Sequence, residues 1–236
     1  MGCCCGLIQG TWPRSKQKQG RLTPRRTRAA SCAMRQGRWT GCGRPELIKG
    51  DGVMALPNQP LPVLRFAGII AGNNAMLAAA RQRLSDCYGP IDDQSEIIAF
   101  NFTAYYEDQM GTDLLRQWVR FATLCEPQLL AKCKLETNMA EVLLAGQFPD
   151  TAPRPINIDP GYVSRTKVIL ATTKDHSHRV YLGEGIFAEV TLHWTATGWA
   201  PWPWTYADYR TPTAQEFFLR CREAYVKQLP AAAGAL

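Results

Sequence analysis

Six consecutive residues, Lys174-Asp175-His176-Ser177-His178-Arg179, carry five ionisable side chains, including two of the three histidines in the chain. Three kinds of chemistry suit that spacing. On an extended backbone, side chains alternate, so Lys174, His176 and His178 share one face and Asp175, Ser177 and Arg179 the other. Two histidines at i, i+2 can hold one metal ion, with Glu189 or His193 completing the set from a neighbouring strand; His-x-His by itself is a weak metal signal. Lys174, His178 and Arg179 can instead hold a phosphate, the guanidinium as a two-pronged donor and the ammonium as a point charge. The plainest alternative is a polar hairpin edge on which Asp175 pairs with Arg179 and the histidines are solvated.

The candidate catalytic groups are Asp159, His178 and Glu189. Asp159 would serve as a general base or metal ligand. Glu189, amid Phe187-Ala188 and Val190, would be an inward carboxylate. Lys167, Lys174, Asp175 and Arg179 are the candidate ligand-binding groups, and the sequence names no cofactor. A regular strand carries Arg179 away from Lys174 and His178. Convergence of all three therefore requires a bend near Ser177 or a loop at Lys174-Asp175-His176, so irregular backbone at residues 174–177 is expected, beside a concave surface.

These residues lie in the stretch Arg154–Glu189, bracketed by two turn signals. Asp159-Pro160-Gly161-Tyr162 predicts a turn, with proline fixing φ and glycine permitting a positive one. Gly183-Glu184-Gly185 between His178–Leu182 and Ile186–Trp194 predicts a hairpin, and Thr197-Gly198 a second turn. Upstream, Pro62–Ala71 predicts a buried strand, followed by a helix capped at Asn73 or Asn74. Its apolar stripe is Leu77, Ala80, Leu84 and Cys87, and Gly89-Pro90 ends it. Ser95–Tyr105 predicts a strand, Leu114–Leu124 a helix. A further helix opens at Glu126-Pro127 and runs to about Ala145, with Lys132, Lys134, Glu136 and Glu141 facing water. Phe148–Pro155 reads as a loop, Pro155–Ile158 as a short strand, and Ser164–Thr173 as either helix or strand. Thr213-Ala214-Gln215-Glu216 predicts a capping box for a helix through Phe217, Cys221, Ala224 and Gln228. Trp199, Trp202, Trp204 and Tyr206 would cover the core at one sheet end, with base or sugar stacking as the functional alternative.

The formal net charge of +7 invites a nucleic-acid reading, but its distribution argues against one for the folded part. Residues 1–53 hold eleven Lys/Arg and two acids, whereas residues 54–236 hold sixteen Lys/Arg and eighteen Asp/Glu. The first segment is +9 and the second −2. Poor in large apolar residues, residues 1–53 are expected to form a disordered basic tail, dispensable or a mis-assigned leader with Met54 as the natural start. Residues 54–230 form the expected domain and 231–236 a short tail. Cys87, Cys125, Cys133 and Cys221 are scattered singly and no CxxC pair exists, which fits reduced core cysteines of a cytoplasmic protein and not a zinc site. No run of about 20 apolar residues marks a membrane span.

Several strings occur together in order: GPID at Gly89–Asp92, NIDPGY at Asn157–Tyr162, LATTKDHSHRVYLGEGIFAEVTL at Leu170–Leu192 and PWPWTYADYR at Pro201–Arg210. On these, the chain from residue 62 to about 227 resembles an uncharacterised bacterial family, domain of unknown function 4416. Some of its members carry the label GTP-binding protein. This sequence has no GxxxxGK[ST] string, nor GxGxxG or GxSxG, so no phosphate loop supports that label here.

The expected architecture is a single α+β domain, mostly antiparallel sheet with helices packed on one face. The leading functional expectation is a site for a phosphorylated or nucleotide-like small molecule at the Lys/His/Arg/Asp cluster, catalytic or not. The alternative is a non-enzymatic binding or scaffold protein. Partners other than that ligand, whether nucleic acid for residues 54–236 or membrane, are not expected. A chain beginning at Met54 should therefore show no steep salt dependence in fluorescence-anisotropy titrations with duplex DNA or RNA between about 50 and 200 mM salt. Tight, salt-sensitive binding by that truncated chain would show that the −2 domain presents a phosphate-contacting face after all.

Overall fold

The computed structural model describes residues 33–35, 38–40 and 58–229; the other expectations for the basic tail and for residues 230–236 lie outside them. The chain divides between Leu56 and Pro57. In the first unit β1 (Ala33–Arg35) pairs antiparallel with β2 (Arg38–Thr40), a hairpin within the stretch expected to lack strands. Two three-residue strands are too short to register as periodicity.

The second unit is built on a nine-stranded sheet. An inner strand, β3 (Val63–Ala71), is followed by α1 (Asn74–Tyr88), the short strands β4 (Ile91–Gln94) and β5 (Ile98–Ala99), and a four-residue helix α2 (Glu107–Met110). Then come β6 (Leu115–Cys125), α3 (Leu130–Ala145), β7 (Ile156–Val163), β8 (Lys167–Thr172), β9 (Val180–Gly183), β10 (Ile186–Thr195), β11 (Gly198–Pro201) and α4 (Pro212–Gln228). Spatially the order is β11-β10-β8-β7-β3-β6-β4, with β5 also on β6 and β9 on β10. Every pairing is antiparallel.

The helices divide between the two faces instead of sharing one. Leu64 and Phe66 of β3, Trp118 of β6 and Val163 of β7 pack with Phe217, Phe218 and Cys221 of α4. Ala67, Ile69 and Ala71 of β3 and Val119 and Phe121 of β6 pack with Leu77 and Leu84 of α1 and with Ala140 and Leu144 of α3. Alternating residues of the same strands thus feed two cores.

That double burial explains the main misreading. Leu115, Trp118, Val119 and Ala122 fall at helical spacing, yet β6 is an eleven-residue strand. With Gln117, Trp118 and Val119 all buried, a central strand covered on both faces loses the polar alternation that identifies strands. Three local corrections follow similar logic. The stretch expected as one strand, Ser95–Tyr105, contains only β5 before a 3-10 turn at Ala104–Tyr106. In α1, Met76 is buried in place of Cys87, which is exposed. The cap of α4 is Thr211, whose Oγ1 accepts from Ala214 N at 3.3 Å, with Pro212 opening the helix; Thr213 lies inside it.

Asp159-Pro160-Gly161-Tyr162 is not a turn but the middle of β7, paired with β3 through Gly68↔Asp159, Ala67↔Pro160 and Phe66↔Gly161. On its other edge β7 pairs with β8 only at Gly161↔Leu170, Tyr162↔Ile169 and Val163↔Val168. Among the described residues no strand lies on that side of β7 before Gly161. Both backbone groups of Ile158 are bonded there by side chains of α3, so the N–H of Pro160, two residues on, would point the same way. Proline has none to donate, and the ladder ends where proline is tolerated.

Gly161 serves packing, not turning. A Cβ there would lie 2.4 Å from the Phe66 ring and 2.3 Å from the Ile169 carbonyl oxygen. Gly161→Ala must push apart two paired strands and is expected to destabilise by about 1–3 kcal/mol or more. Gly146→Ala, whose new methyl would meet only Leu143 O at 3.5 Å, should leave the denaturant midpoint within a few tenths of a molar of wild type. Equal midpoints for the two variants would mean the β7–β8 contact yields freely.

Candidate functional site

Where β7 and β8 part, a cleft of about 920 Å³ opens. Its walls come from seven places. β3 and β6 supply Ile70 and Arg116, α3 supplies Lys134 and Glu141, and β7 supplies Asn157 and Asp159. The far side is formed by Leu170–His176, and the ends by Tyr105-Tyr106 and by Tyr206, Asp208 and Tyr209.

Lys134 and Glu141, expected in water, are 4% and 8% exposed. Seven residues apart, they lie on one face of α3, turned toward the gap. Lys134 Nζ donates to Ile158 O at 2.8 Å and to Asp159 Oδ1 at 2.9 Å. Glu141 Oε1 accepts from Ile158 N at 2.7 Å, and its Oε2 from Arg154 Nη2 at 2.9 Å. Arg154 also donates to Asn157 Oδ1, and Asn157 Nδ2 donates to Asp159 Oδ2 at 2.8 Å. The network therefore closes on itself. Burial opposes ionisation of Asp159, but the charges of Lys134 and Arg116 and the hydrogen bonds from Lys134 and Asn157 outweigh it and hold the carboxyl below its ordinary value. Burial pushes Glu141 up, against the pull of Lys134 and Arg154.

Arg116 is the second fixture. It is 2% exposed, and its guanidinium lies against Gly68, where a Cβ would fall 2.7 Å from Nη2. The group sits 4.6 Å from the Trp118 ring and 5.4 Å from that of Tyr209. Nε approaches Asp208 Oδ2 at 3.0 Å, an ion pair without the alignment of a hydrogen bond, and among the described residues the buried Nη1 has no hydrogen-bond partner. Desolvation disfavours the charge, but Asp208, Tyr209 and Asp159 more than compensate, so Arg116 stays protonated. At the mouth, Lys174 Nζ lies 3.7 Å over the Tyr105 ring, and a hydrogen bond and charge from Lys174 lower that phenol. Among the described residues no carboxylate pairs with Lys174.

The residues singled out from sequence divide around this cleft. Asp159, Lys174, Asp175 and His176 line it, and the backbone from 173 to 179 is irregular, a bend and a turn between β8 and β9. Arg179 and Glu189 lie behind the rim. Arg179 donates to Glu189 Oε2 at 2.8 Å, to Lys174 O at 2.9 Å and to Tyr206 Oη at 2.7 Å. Glu189, 2% exposed, also accepts from Thr191. With those donors engaged, Arg179 ties the 174–179 loop to β10 and to the Tyr206 segment. Asp175 does not pair with it. His178 Nε2 is 3.4 Å from Glu189 Oε2 without a hydrogen bond, and its ring stacks on Trp204. Lys167 is opposite His193 at the other end of β8 and does not line the cleft. No group of three His, Cys, Asp or Glu side chains among the described residues is arranged to hold a metal ion. A shallower concavity between α1 and β4 is lined by Asp92 and Asp93, but their carboxylates are taken by Arg120 and Arg220.

Arg116, Lys134, Glu141, Arg154, Asn157 and Asp208 escaped the sequence reading. The seven-residue spacing of Lys134 and Glu141 was the one available signal, and it is also the spacing of a solvated helix face. Removing one member of the buried network strands the others. Lys134→Met is expected to destabilise by about 3–5 kcal/mol in denaturant unfolding. Lys132→Met, which deletes an exposed pair at 3.7 Å with Glu136, should change stability by less than about 0.5 kcal/mol. Comparable losses would remove the special status of the Ile158 contacts.

No helix among the described residues is long and apolar enough to cross a membrane. No curated protein and no solved structure matches the chain. A family model does, over residues 61–225, most of the chain and every strand from β3 to β11. The chain therefore belongs to the family described as Domain of unknown function (DUF4416).

Proposed function

We propose that this protein binds a small phosphorylated, nucleotide-like molecule in the cleft between β7 and β8. The observation that supports the reading most is Arg116: a buried guanidinium with an unpartnered nitrogen, in the lining of a cavity of about 920 Å³. A buried donor without a partner is rare and costly, and an anionic ligand held in the cleft would balance the guanidinium's charge. Lys174 at the mouth supplies a second cation, one that no carboxylate among the described residues pairs with, suited to the same anion. Ile70, Phe100, Val142, Leu170 and the tyrosines give the cleft an apolar and aromatic remainder, the usual make-up of a small-molecule site.

The other charges serve the architecture. Both Asp159 oxygens accept protein hydrogen bonds, and Glu141 is bonded at both ends. These groups shape the cleft, and the reading is one of binding before catalysis. Cys87, Cys125, Cys133 and Cys221 are free thiols, which supports a reducing, cytoplasmic setting.

Lys174 is exposed, so Lys174→Met tests the reading without threatening the fold. Titration calorimetry with ribonucleoside monophosphates and ribose 5-phosphate should find a phosphorylated ligand whose affinity falls roughly tenfold in the variant, the loss expected for one charge-assisted contact. Binding that ignores the substitution, or no binding by any of these compounds, would overturn it.

A further inference from the structure

Resting on that reading of the cleft, we propose that the body of the ligand is a flat heteroaromatic ring, stacked on the outer face of His176. Five rings form a column at this edge of the molecule. His176 and His178 are inclined by 6° with centroids 5.8 Å apart, and His178 and Trp204 by 15° at 5.1 Å. Trp204 and Trp202 follow at 7° and 5.3 Å, and Trp202 and His193 at 31° and 4.2 Å. Each inner ring has two ring neighbours. His178 lies between His176 and Trp204, Trp204 between His178 and Trp202, and Trp202 between Trp204 and His193. Trp202 and Trp204, two of the rings for which the sequence raised base or sugar stacking, already stack within the protein.

His176 ends the column, and it is exposed and lines the cleft. The column is anchored from behind. Trp204 Nε1 donates to Val190 O at 3.1 Å, and Arg179, the next residue after His178, is fixed by three partners. His176 therefore presents a pre-positioned flat face at low entropic penalty. Every nucleobase has a face able to use it, and such stacking is tolerant of base identity. Tyr105, also lining the cleft, has the Lys174 ammonium over its ring. The aromatic surface at the mouth and a cation for the phosphate thus belong to the same opening.

Calorimetric affinities of the four ribonucleoside monophosphates and of ribose 5-phosphate, for wild type, His176→Ala and His176→Phe, test this. At least one nucleotide should bind wild type tenfold or more tighter than ribose 5-phosphate. His176→Ala should remove roughly that factor and leave ribose 5-phosphate unchanged, and His176→Phe should restore it. Equal affinities for nucleotide and ribose phosphate on wild type, or equal losses for both in His176→Ala, would overturn the stacking proposal. Ribose 5-phosphate binding that still falls in Lys174→Met would leave the phosphate reading standing alone; no binding by any of the five compounds would overturn both.

Discussion

The structure turns on the two backbone groups of Ile158. A strand that leaves its neighbour in the middle of a sheet exposes N–H and C=O groups that must be bonded or paid for in desolvation. Here they are bonded by a carboxylate and an ammonium from α3, Glu141 and Lys134. Those side chains bring charge into a buried place, and each then requires a counter-charge: Arg154 for Glu141, Asp159 for Lys134. Asn157 links the two halves. The gap between β7 and β8, the charges at its edge and the cavity beyond it are thus one arrangement. Had β8 followed β7 to Ile156, the ladder would have satisfied Ile158, and Lys134 and Glu141 would have had no reason to be inside.

Gly68 and Gly161 make complementary room on neighbouring strands. Gly161 lets β7 close onto Phe66 on the face covered by α4, and Gly68 gives the Arg116 guanidinium a flat seat. Along that face the covered end carries Leu64, Phe66, Val163 and Val168. The uncovered end carries Ile70, Arg116, Asn157 and Asp159. One side of one sheet therefore changes from core to cleft floor within a few residues, and α4 marks the limit.

The sequence made much of the scaffold legible because local signals decided it. Asn73 as a cap, Gly89 as a stop, the Gly183-Glu184-Gly185 hairpin and the loop around Ser177 all rest on neighbours within a few residues. What was hidden depends on long-range pairing. β6 is read as a helix because its apolar spacing mimics one when both faces are buried. Asp159-Pro160-Gly161 has turn chemistry, but β3 holds it extended, and its proline and glycine serve an edge and a contact. Arg116 sits in the misread strand, and Lys134 and Glu141 look like any solvated pair on a helix. The ionisable cluster at 174–179 was visible, yet a sequence cannot say which of its members turn inward to the cleft and which, like Arg179, hold the loop from behind.

Ion pairs taken out of water are weak evidence for stability, since well-packed apolar residues of similar volume often serve as well or better. For Lys134 and Glu141 the Ile158 backbone supplies a structural reason to be polar. Arg116 has no such reason. Among the described residues it bonds no backbone group and leaves a nitrogen unpartnered, and it depends on Asp208 and on a glycine opposite to be accommodated at all. A leucine or methionine would fill that space against Trp118 and Tyr209 without a desolvated charge. Fold stability therefore does not explain the guanidinium, whereas its place in the cleft lining is what the proposed binding of an anionic ligand would account for.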